Sequence, residues 1–357
     1  MSKIALITDQ HFGGKQDSQY FLDYIEKFYT NQFFPYLKEN NITTVIDLGD
    51  TFDRRKYVNF HTLHQVKKFY FDVFAERDIR LHSIVGNHST YYRNTNSVNS
   101  SDLLYGHYDN VITHSSPETF HLGDMDVDII PWINSENYDE TMEFIKNSKS
   151  QILFGHLEID GFAMYKGYVA DSGLSRKIFN RYEVVCSGHY HHKSSKDNIH
   201  YLGAPYEITW NDYDDPRGFH MFDTETRELE FIRNNYRLFE KIYYDDSGNI
   251  DYKKLDTNHY KDKIVKLIVE EKNNLSNFED FVERLYKSEL TDLTILEDLS
   301  EYSMRYTDDE EEDLEVGNTS IFLDEYVDSI TEVKDDERRR VKKLLQVIYD
   351  EALNIND

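Results

Sequence analysis

Short apolar, β-branched runs alternate with longer amphipathic stretches over the first third of the chain. Lys3 to Thr8, Thr43 to Leu48 and Arg80 to Val85 predict buried strands. Between the first two, Phe21, Tyr24, Ile25, Phe28 and Tyr29 recur at helical spacing within 21–38. A second helix is expected over 57–77. Strand, helix, strand, helix, strand in this order predicts a parallel, layered α/β sheet. Farther on, 101–107 reads as a short helix or loop, 111–131 as a meander of short strands and 138–146 as a helix. Gln151 to Phe154 and Val184 to Ser187 predict two more buried strands. His200 to Leu202 and Gly218 to Asp223 read as strands closing a second sheet, with Leu229 to Ile232 a third.

The pattern changes near Asn234–Tyr236. Beyond it, Lys263 to Glu270 predicts a strand, Asn277 to Lys287 a helix with Phe278, Phe281, Val282 and Leu285 on one face, and Leu293 to Leu296 a strand. Asp308 to Asp313 is an unbroken acidic block, expected to stay solvated. After it, 320–330 and 335–353 read as two amphipathic helices. Val341, Leu344, Leu345, Ile348 and Leu353 form a stripe that such a pair cannot bury alone. A partner-binding module is the first expectation, and packing against the body the second. The expected organisation is a catalytic domain over 1–235, a small α/β domain over 236–299, an acidic linker over 300–319 and a helix-loop-helix over 320–357.

Composition changes this picture in two places. Hydrophobic residues make up 39% of the 357, enough for a globular body. The formal net charge is -27, the wrong sign for a chain that grips nucleic acid by itself. The last 57 residues hold seven basic and 18 acidic side chains, so the acidity is densest there. Bound divalent cations would reverse the sign locally, and a basic partner would supply the remaining grip. The single cysteine, Cys186, excludes a disulfide framework and a thiolate zinc site, and its apolar surroundings predict a plain buried strand residue. Met1-Ser2-Lys3 lacks signal-peptide architecture, and no apolar run approaches the roughly 20 residues of a membrane helix. A cytoplasmic protein with no membrane association is expected.

The chemistry lies where strands end. Val45-Ile46-Asp47-Leu48 stops at Gly49-Asp50, which throws a carboxylate off the strand's C-terminal end, where open α/β sheets bind ligands. Asp9-Gln10-His11, Gly86-Asn87-His88, Gly155-His156 and Gly188-His189-Tyr190-His191 end other strands in the same way. Residues two apart on an extended segment share a side, so Asp9 pairs with His11 and His189 with His191. His192 is a spare. Asp9, His11, Asp50, Asn87, His156, His189 and His191 make a mixed oxygen and nitrogen set suited to two ions of Mn2+, Fe or Zn2+. One ion would take Asp9, His11 and His191, the other Asn87, His156 and His189, with Asp50 bridging. Two such ions clamp a phosphate and activate water for in-line attack. His88 is then placed as the catalytic acid or charge stabiliser. Arg54-Arg55-Lys56 and Tyr91-Tyr92-Arg93 are basic and aromatic loops beside these motifs. Each reads either as a contact to phosphate and base or as ordinary surface. Gly13-Gly14-Lys15 lacks phosphate-loop spacing, so the chain is not itself an NTPase.

These motifs, in this order from Asp9 to His191, resemble the calcineurin-like metallophosphoesterases. They are closer still to the SbcD-type DNA repair nucleases, among them the recombination nuclease subunits of T-even-type bacteriophages. Ile84-Val85-Gly86-Asn87-His88, Ile130-Pro131-Trp132, Asp215-Pro216-Arg217-Gly218-Phe219 and Met221 to Thr226 carry that likeness. The resemblance implies a four-layer αββα sandwich, with a small α/β domain capping DNA and C-terminal helices that grip an SMC-like ABC ATPase of the SbcC type. It implies a nuclease homodimer within a heterotetramer, two Mn2+ ions, and 3′-to-5′ exonuclease and endonuclease activity. For a phage-encoded chain the location is the cytoplasm of the bacterial host. One residue departs from the family pattern, which continues Gly-Asn-His with Asp or Glu where this chain has Ser89. The expectation is slower chemistry with metal binding intact. Two other functions stay open: another phosphoesterase, such as a phosphatase or cyclic-nucleotide phosphodiesterase, and a metal-loaded DNA scaffold damped at Ser89.

Overall fold

The computed structural model describes residues 3–123, 125–165, 168–169, 173–248 and 250–297. The chain divides into two compact units, one of Met1–Leu267 with Glu271–Thr294 and another of Ile268–Glu270 with Ile295–Asp357. The acidic linker and the helix-loop-helix expected over 300–357 lie outside the described residues.

The first sheet is built from β1 (Lys3–Ile7), β2 (Thr44–Asp47), β3 (Arg80–Ile84) and β4 (Val111–His114), all parallel neighbours in that order. The second contains β5 (Glu118–Leu122), β6 (Met125–Ile130), β7 (Ile152–His156), β8 (Val184–Gly188), β9 (Ser194–Lys196) and β10 (Ile199–Tyr201). Their spatial order is β9-β10-β8-β7-β6-β5, with the four inner strands parallel. The two sheets stack face to face. Ile4, Leu6, Ile46, Leu48 and Ile84 of the first meet Val127, Ile129, Ile152, Phe154, Val184 and Cys186 of the second in one buried cluster. Cys186 is therefore a buried strand residue, as its neighbours predict.

Period-two alternation sends the remaining strand residues to two outer layers. Ala5, Ile7, Val45 and Leu81 pack under two long helical segments. Leu153 and Val185 pack with Ile145 of the helix Tyr138–Asn147. The result is an αββα sandwich whose central strands are apolar on both faces, which is why they read as continuous runs. The helix expected over 21–38 is Gln19–Phe28, a π-helical turn Tyr29–Phe33, then Phe34–Glu39. The helix expected over 57–77 starts later, where the Asn59 side chain accepts from the His61 amide at 2.8 Å, and carries a similar turn at Lys67–Phe71. The two turns face each other, with the Tyr29 and Tyr70 rings 4.9 Å apart. Each adds a residue to its turn, widening the buried aromatic face.

Three expectations need correction. Residues 111–131 are not one meander, because β4 closes the first sheet and β5 opens the second. β11 (Gly218–Asp223) does not close the second sheet. It runs antiparallel beside β1, with Lys3 opposite Asp223, and β12 (Leu229–Arg233) pairs outside it. Phe219 and Met221 fit the helix side and Phe222 the inter-sheet core, a match that only the first sheet offers. Finally, the small third sheet has a strand that the pattern did not reveal. Its order is β13 (Phe239–Asp245), β14 (Ile264–Glu271) and β15 (Asp292–Leu296), with the helix Leu275–Lys287 between the last two. The exposed Tyr243 and half-buried Glu240 and Lys241 blur the alternation of β13. Buried Glu207 accepts the Leu238 and Phe239 amides at 2.7 and 2.9 Å, fastening the start of β13 to the sandwich.

Two buried histidines give the fold a pH dependence. Burial, helped by the neighbouring His114 ring, lowers His82 to about 3. Burial, helped by Lys193, does the same to His220. An unfolded histidine titrates near 6.5, so below about pH 6.5 the unfolded chain binds protons that the folded chain excludes. Stability is expected to fall as pH drops through that window, by about 1.4 kcal/mol per pH unit for each ring. Urea midpoints at several pH values check this, and a His82→Gln, His220→Gln chain is expected to show a shallower slope.

Candidate metal centre

The C-terminal ends of β1, β2, β3, β7 and β8 open toward one point. The loop after β1 and the loop after β2 are zipped together there. The amides of Asp9, His11 and Phe12 donate to the carbonyls of Gly49, Asp50 and Thr51 at 2.9, 3.0 and 2.9 Å. Beneath them, buried Asp47 accepts from the Gly49 amide at 3.0 Å and the Thr51 hydroxyl at 2.7 Å. Burial raises the Asp47 carboxyl to about 7 against the pull of those bonds. Asp9, His11, Asp50 and His189 all have left-handed backbones, with φ of 53°, 47°, 56° and 89°. Such residues cost roughly 1–3 kcal/mol each and persist only where their surroundings over-determine them.

The structure brings all seven expected ligands together, in two groups. Ligand atoms of Asp9, His11 and His191 lie within 4.8 Å of one another, as do those of Asp50, His156 and His189. Asn87 Oδ1 joins the second group, 2.8 Å from His156 Nε2 and 2.9 Å from His189 Nδ1. The loop strain aims these atoms, and hydrogen bonds fix their protons. His156 Nδ1 donates to the Leu48 carbonyl at 2.8 Å, leaving Nε2 to face the cluster. His11 Nδ1 meets the Asp53 carboxylate at 3.1 Å, which does the same for its Nε2. Potential ligand atoms therefore face one another: His11 Nε2 lies 3.0 Å from His191 Nε2, and His156 Nε2 faces Asn87 Oδ1. Such pairs repel unless a proton or a cation lies between them. The donor set thus fits divalent ions, in the oxygen and imidazole chemistry already expected.

The electrostatics agree. Burial would raise the Asp50 carboxyl, but the His156, His88 and His11 rings hold it well below the usual carboxylate range. Burial opposes a charged His156, yet Asp50 raises it to about 9, so a proton holds the place at Nε2 that a cation would take. Burial, with His11 and Arg217, keeps His191 well below the ordinary histidine range, so it stays neutral.

His88 stands at the edge of this cluster. Its amide donates to Asp50 Oδ1 at 2.8 Å, and its Nδ1 donates to the Asp53 carbonyl at 2.5 Å. Ser89 is buried, and its hydroxyl has no hydrogen-bond partner among the described residues. The backbone of Asp53, not residue 89, orients the ring here. Asp53 was missed as a functional residue, although it stands three positions beyond Asp50 in the same motif. It serves His11 with its carboxylate and His88 with its carbonyl. A second missed group supports His191. Buried Arg217 bonds the His191 carbonyl and pairs with Asp212 at 2.6 Å and Asp215 at 2.8 Å. Asp215 also meets the spare His192 at 2.8 Å. Pro216-Arg217-Gly218 reads as a turn in the sequence, and in the structure Arg217 with Asp215 braces the loop of His191.

The family model described as calcineurin-like phosphoesterase matches residues 2–193, a range that holds every expected site residue. The chain belongs to the calcineurin-like phosphoesterases. It is similar to exonuclease subunit 1 of Enterobacteria phage T4, with 35% identity over 351 residues that cover 98% of this chain and 99% of the phage protein. A more distant likeness, 22% identity over 74% of this chain and 82% of the relative, is to the SbcD component of the SbcCD nuclease of Staphylococcus epidermidis. As a calcineurin-like phosphoesterase the chain is a phosphoester-cleaving enzyme that uses divalent metals. Among the described residues no helix is long and apolar enough to cross a membrane.

Gly86 tests the packing under this centre. A Cβ there would overlap the Asp50 carboxylate and lie 2.6 Å from the Asp50 amide. Gly86→Ala is expected to lose most of its bound metal by elemental analysis, while its far-ultraviolet circular dichroism stays native.

Proposed function

We propose that the chain is a DNA nuclease, a 3′-to-5′ exonuclease and endonuclease that works with two Mn2+ ions and an SMC-like ABC ATPase of the SbcC type. The observation that carries this is the convergence of seven oxygen and nitrogen donors from both sheets, in a chain matching a phage exonuclease subunit over nearly its whole length. Asp9, His11 and His191 would hold one ion and Asn87, His156 and His189 the other, with Asp50 shared between them. Ions so held would offset phosphate charge and make a water molecule more acidic. The chain's own residues do the rest. Asp53 holds His11 and His88 in fixed tautomers. His88, with Nδ1 occupied, exchanges protons at Nε2, and its role is to protonate the departing oxygen. Water oxygen bonds to phosphorus, the ester P–O bond breaks, one product keeps the phosphate and the other takes the proton. Ser89 adds no charge beside His88, so turnover is slower than a carboxylate at that position would allow.

Residues 236–299 would cap the DNA, and residues 320–357 would bind the coiled-coil base of the ATPase. The acidity of the chain supports such a division of labour, because non-specific DNA affinity then has to come from the partner.

End-labelled linear duplex DNA with Mn2+ tests the activity, with and without the ATPase. Degradation is expected in the wild-type chain and a loss of at least a hundredfold in Asn87→Ala. A wild-type chain that hydrolyses a small aryl phosphodiester but not DNA would leave another phosphoesterase as the answer. For the assembly, deletion of residues 318–357 is expected to abolish co-purification with the ATPase while metal content stays at the wild-type level. Retained co-purification would refute that role for the segment.

A further inference from the structure

We propose that Tyr91 and Tyr92, with Lys56, Arg93 and the Arg55–Trp132 pair, form a stacking platform for the unpaired terminal nucleotides of a DNA strand. The platform would present the adjoining phosphodiester to the metal centre. This rests on the nuclease function proposed above and adds the form of substrate that the site takes.

Three short segments bring these residues together, and each starts beside the centre. Residues 54–57 follow Asp53, the residue that holds His11 and His88. Tyr91 stands three positions beyond His88. Trp132 is tied to the end of β3 by its amide, which donates to the Val85 carbonyl at 2.8 Å. The cations lie over the rings, with Lys56 Nζ 5.6 Å from the centre of Tyr91 and the Arg55 guanidinium 5.1 Å from that of Trp132. Arg54 is committed elsewhere, to Asp17 at 2.7 Å and the Tyr57 ring at 5.1 Å, so it is left out of the platform.

The tyrosines are exposed yet firmly framed. Tyr91 and Tyr92 are 41% and 42% exposed, and their rings meet edge to face at 4.8 Å. The Tyr91 amide donates to Val98 at 2.9 Å, and Thr90 bridges Asn99. Buried Asn96 donates to the Trp132 and Ser115 carbonyls at 3.0 and 3.3 Å and accepts from Asn134 at 2.9 Å. The loop that carries the tyrosines is thus pinned to the segment that carries Trp132. Rings held out of the core with cations around them present π faces beside a local positive charge, in a chain of net charge -27. Contact with a duplex backbone would need only the cations. Rings in this setting suit bases, and only unpaired bases expose their faces. Lys56 and Arg93 then neutralise the phosphates on either side of the stacked bases.

The test uses the full chain and a single-stranded oligonucleotide with 2-aminopurine at its 3′ end. Binding is followed in the Asn87→Ala background, where the strand stays intact. Fluorescence quenching on binding is expected for that chain and for one also carrying Tyr91→Phe and Tyr92→Phe. With Tyr91→Ala and Tyr92→Ala it is expected to disappear. In chains with native Asn87, the alanine pair is expected to raise KM for single-stranded DNA about tenfold, and the phenylalanine pair to restore it. Melting temperature and metal content confirm that each variant is folded. Quenching and KM unchanged in a folded alanine pair would overturn the platform. Absence of DNA cleavage by the wild-type chain would instead overturn the nuclease function, and quenching in the Asn87→Ala chain would still decide the platform.

Discussion

Polar atoms brought face to face in a buried place set the terms for the rest of the structure. His11 and His191 point nitrogen at nitrogen, and His156 points nitrogen at the Asn87 oxygen. Each such contact needs a proton or a cation between its two atoms. The fold holds the atoms there by means that lie outside the cluster. Backbone carbonyls of Leu48 and Asp53 take the protons on the far sides of two rings. The Asp53 carboxylate takes a third, and Arg217 braces the His191 loop from behind. Four left-handed residues are the local cost of aiming the ligands, and the zipped loops after β1 and β2 keep them there.

The same zipper connects the centre to the helical layer. Between Asp9 and His11, the Gln10 side chain donates to the Tyr70 hydroxyl at 3.0 Å, and the Tyr206 hydroxyl donates to the Gln10 carbonyl at 2.5 Å. The aromatic face widened by the two π-helical turns is therefore also the floor of a ligand loop. Packing changes at Tyr29 or Tyr70 act on His11 through one glutamine.

Much of this was legible in the sequence for a simple physical reason. Strands buried on both faces leave unbroken apolar runs, and a polar residue ending such a run has few structural explanations. Hence β1, β2, β3, β7 and β8 could be read directly, as could the polar residues at their ends that the fold brings together. What stayed hidden depends on long-range partners. Gly218–Asp223 carries no mark of which sheet it joins, because its alternation suits either until its neighbours are known. A π-helical turn keeps helical composition while shifting the register. Asp53 looks like a turn residue, and its importance comes from two rings that lie 42 and 35 positions away in the chain. Arg217 is the same case, 26 positions from the carbonyl it holds. The strand Phe239–Asp245 hid because its outward side chains are only partly exposed.

The antiparallel strand beside β1 has a consequence for how the protein comes into being. β1 is synthesised long before Gly218–Asp223, the strand that covers one of its edges. The expected ligands span Asp9 to His191, and the arginine that steadies the last of them is Arg217. A nascent chain therefore emerges with its first ligand loop exposed and its first strand half paired. Until Asp223 has left the ribosome, the nascent protein has neither a finished sheet nor a braced centre. The sheet and the brace of the candidate centre are thus both completed by residues that follow every expected ligand in the chain.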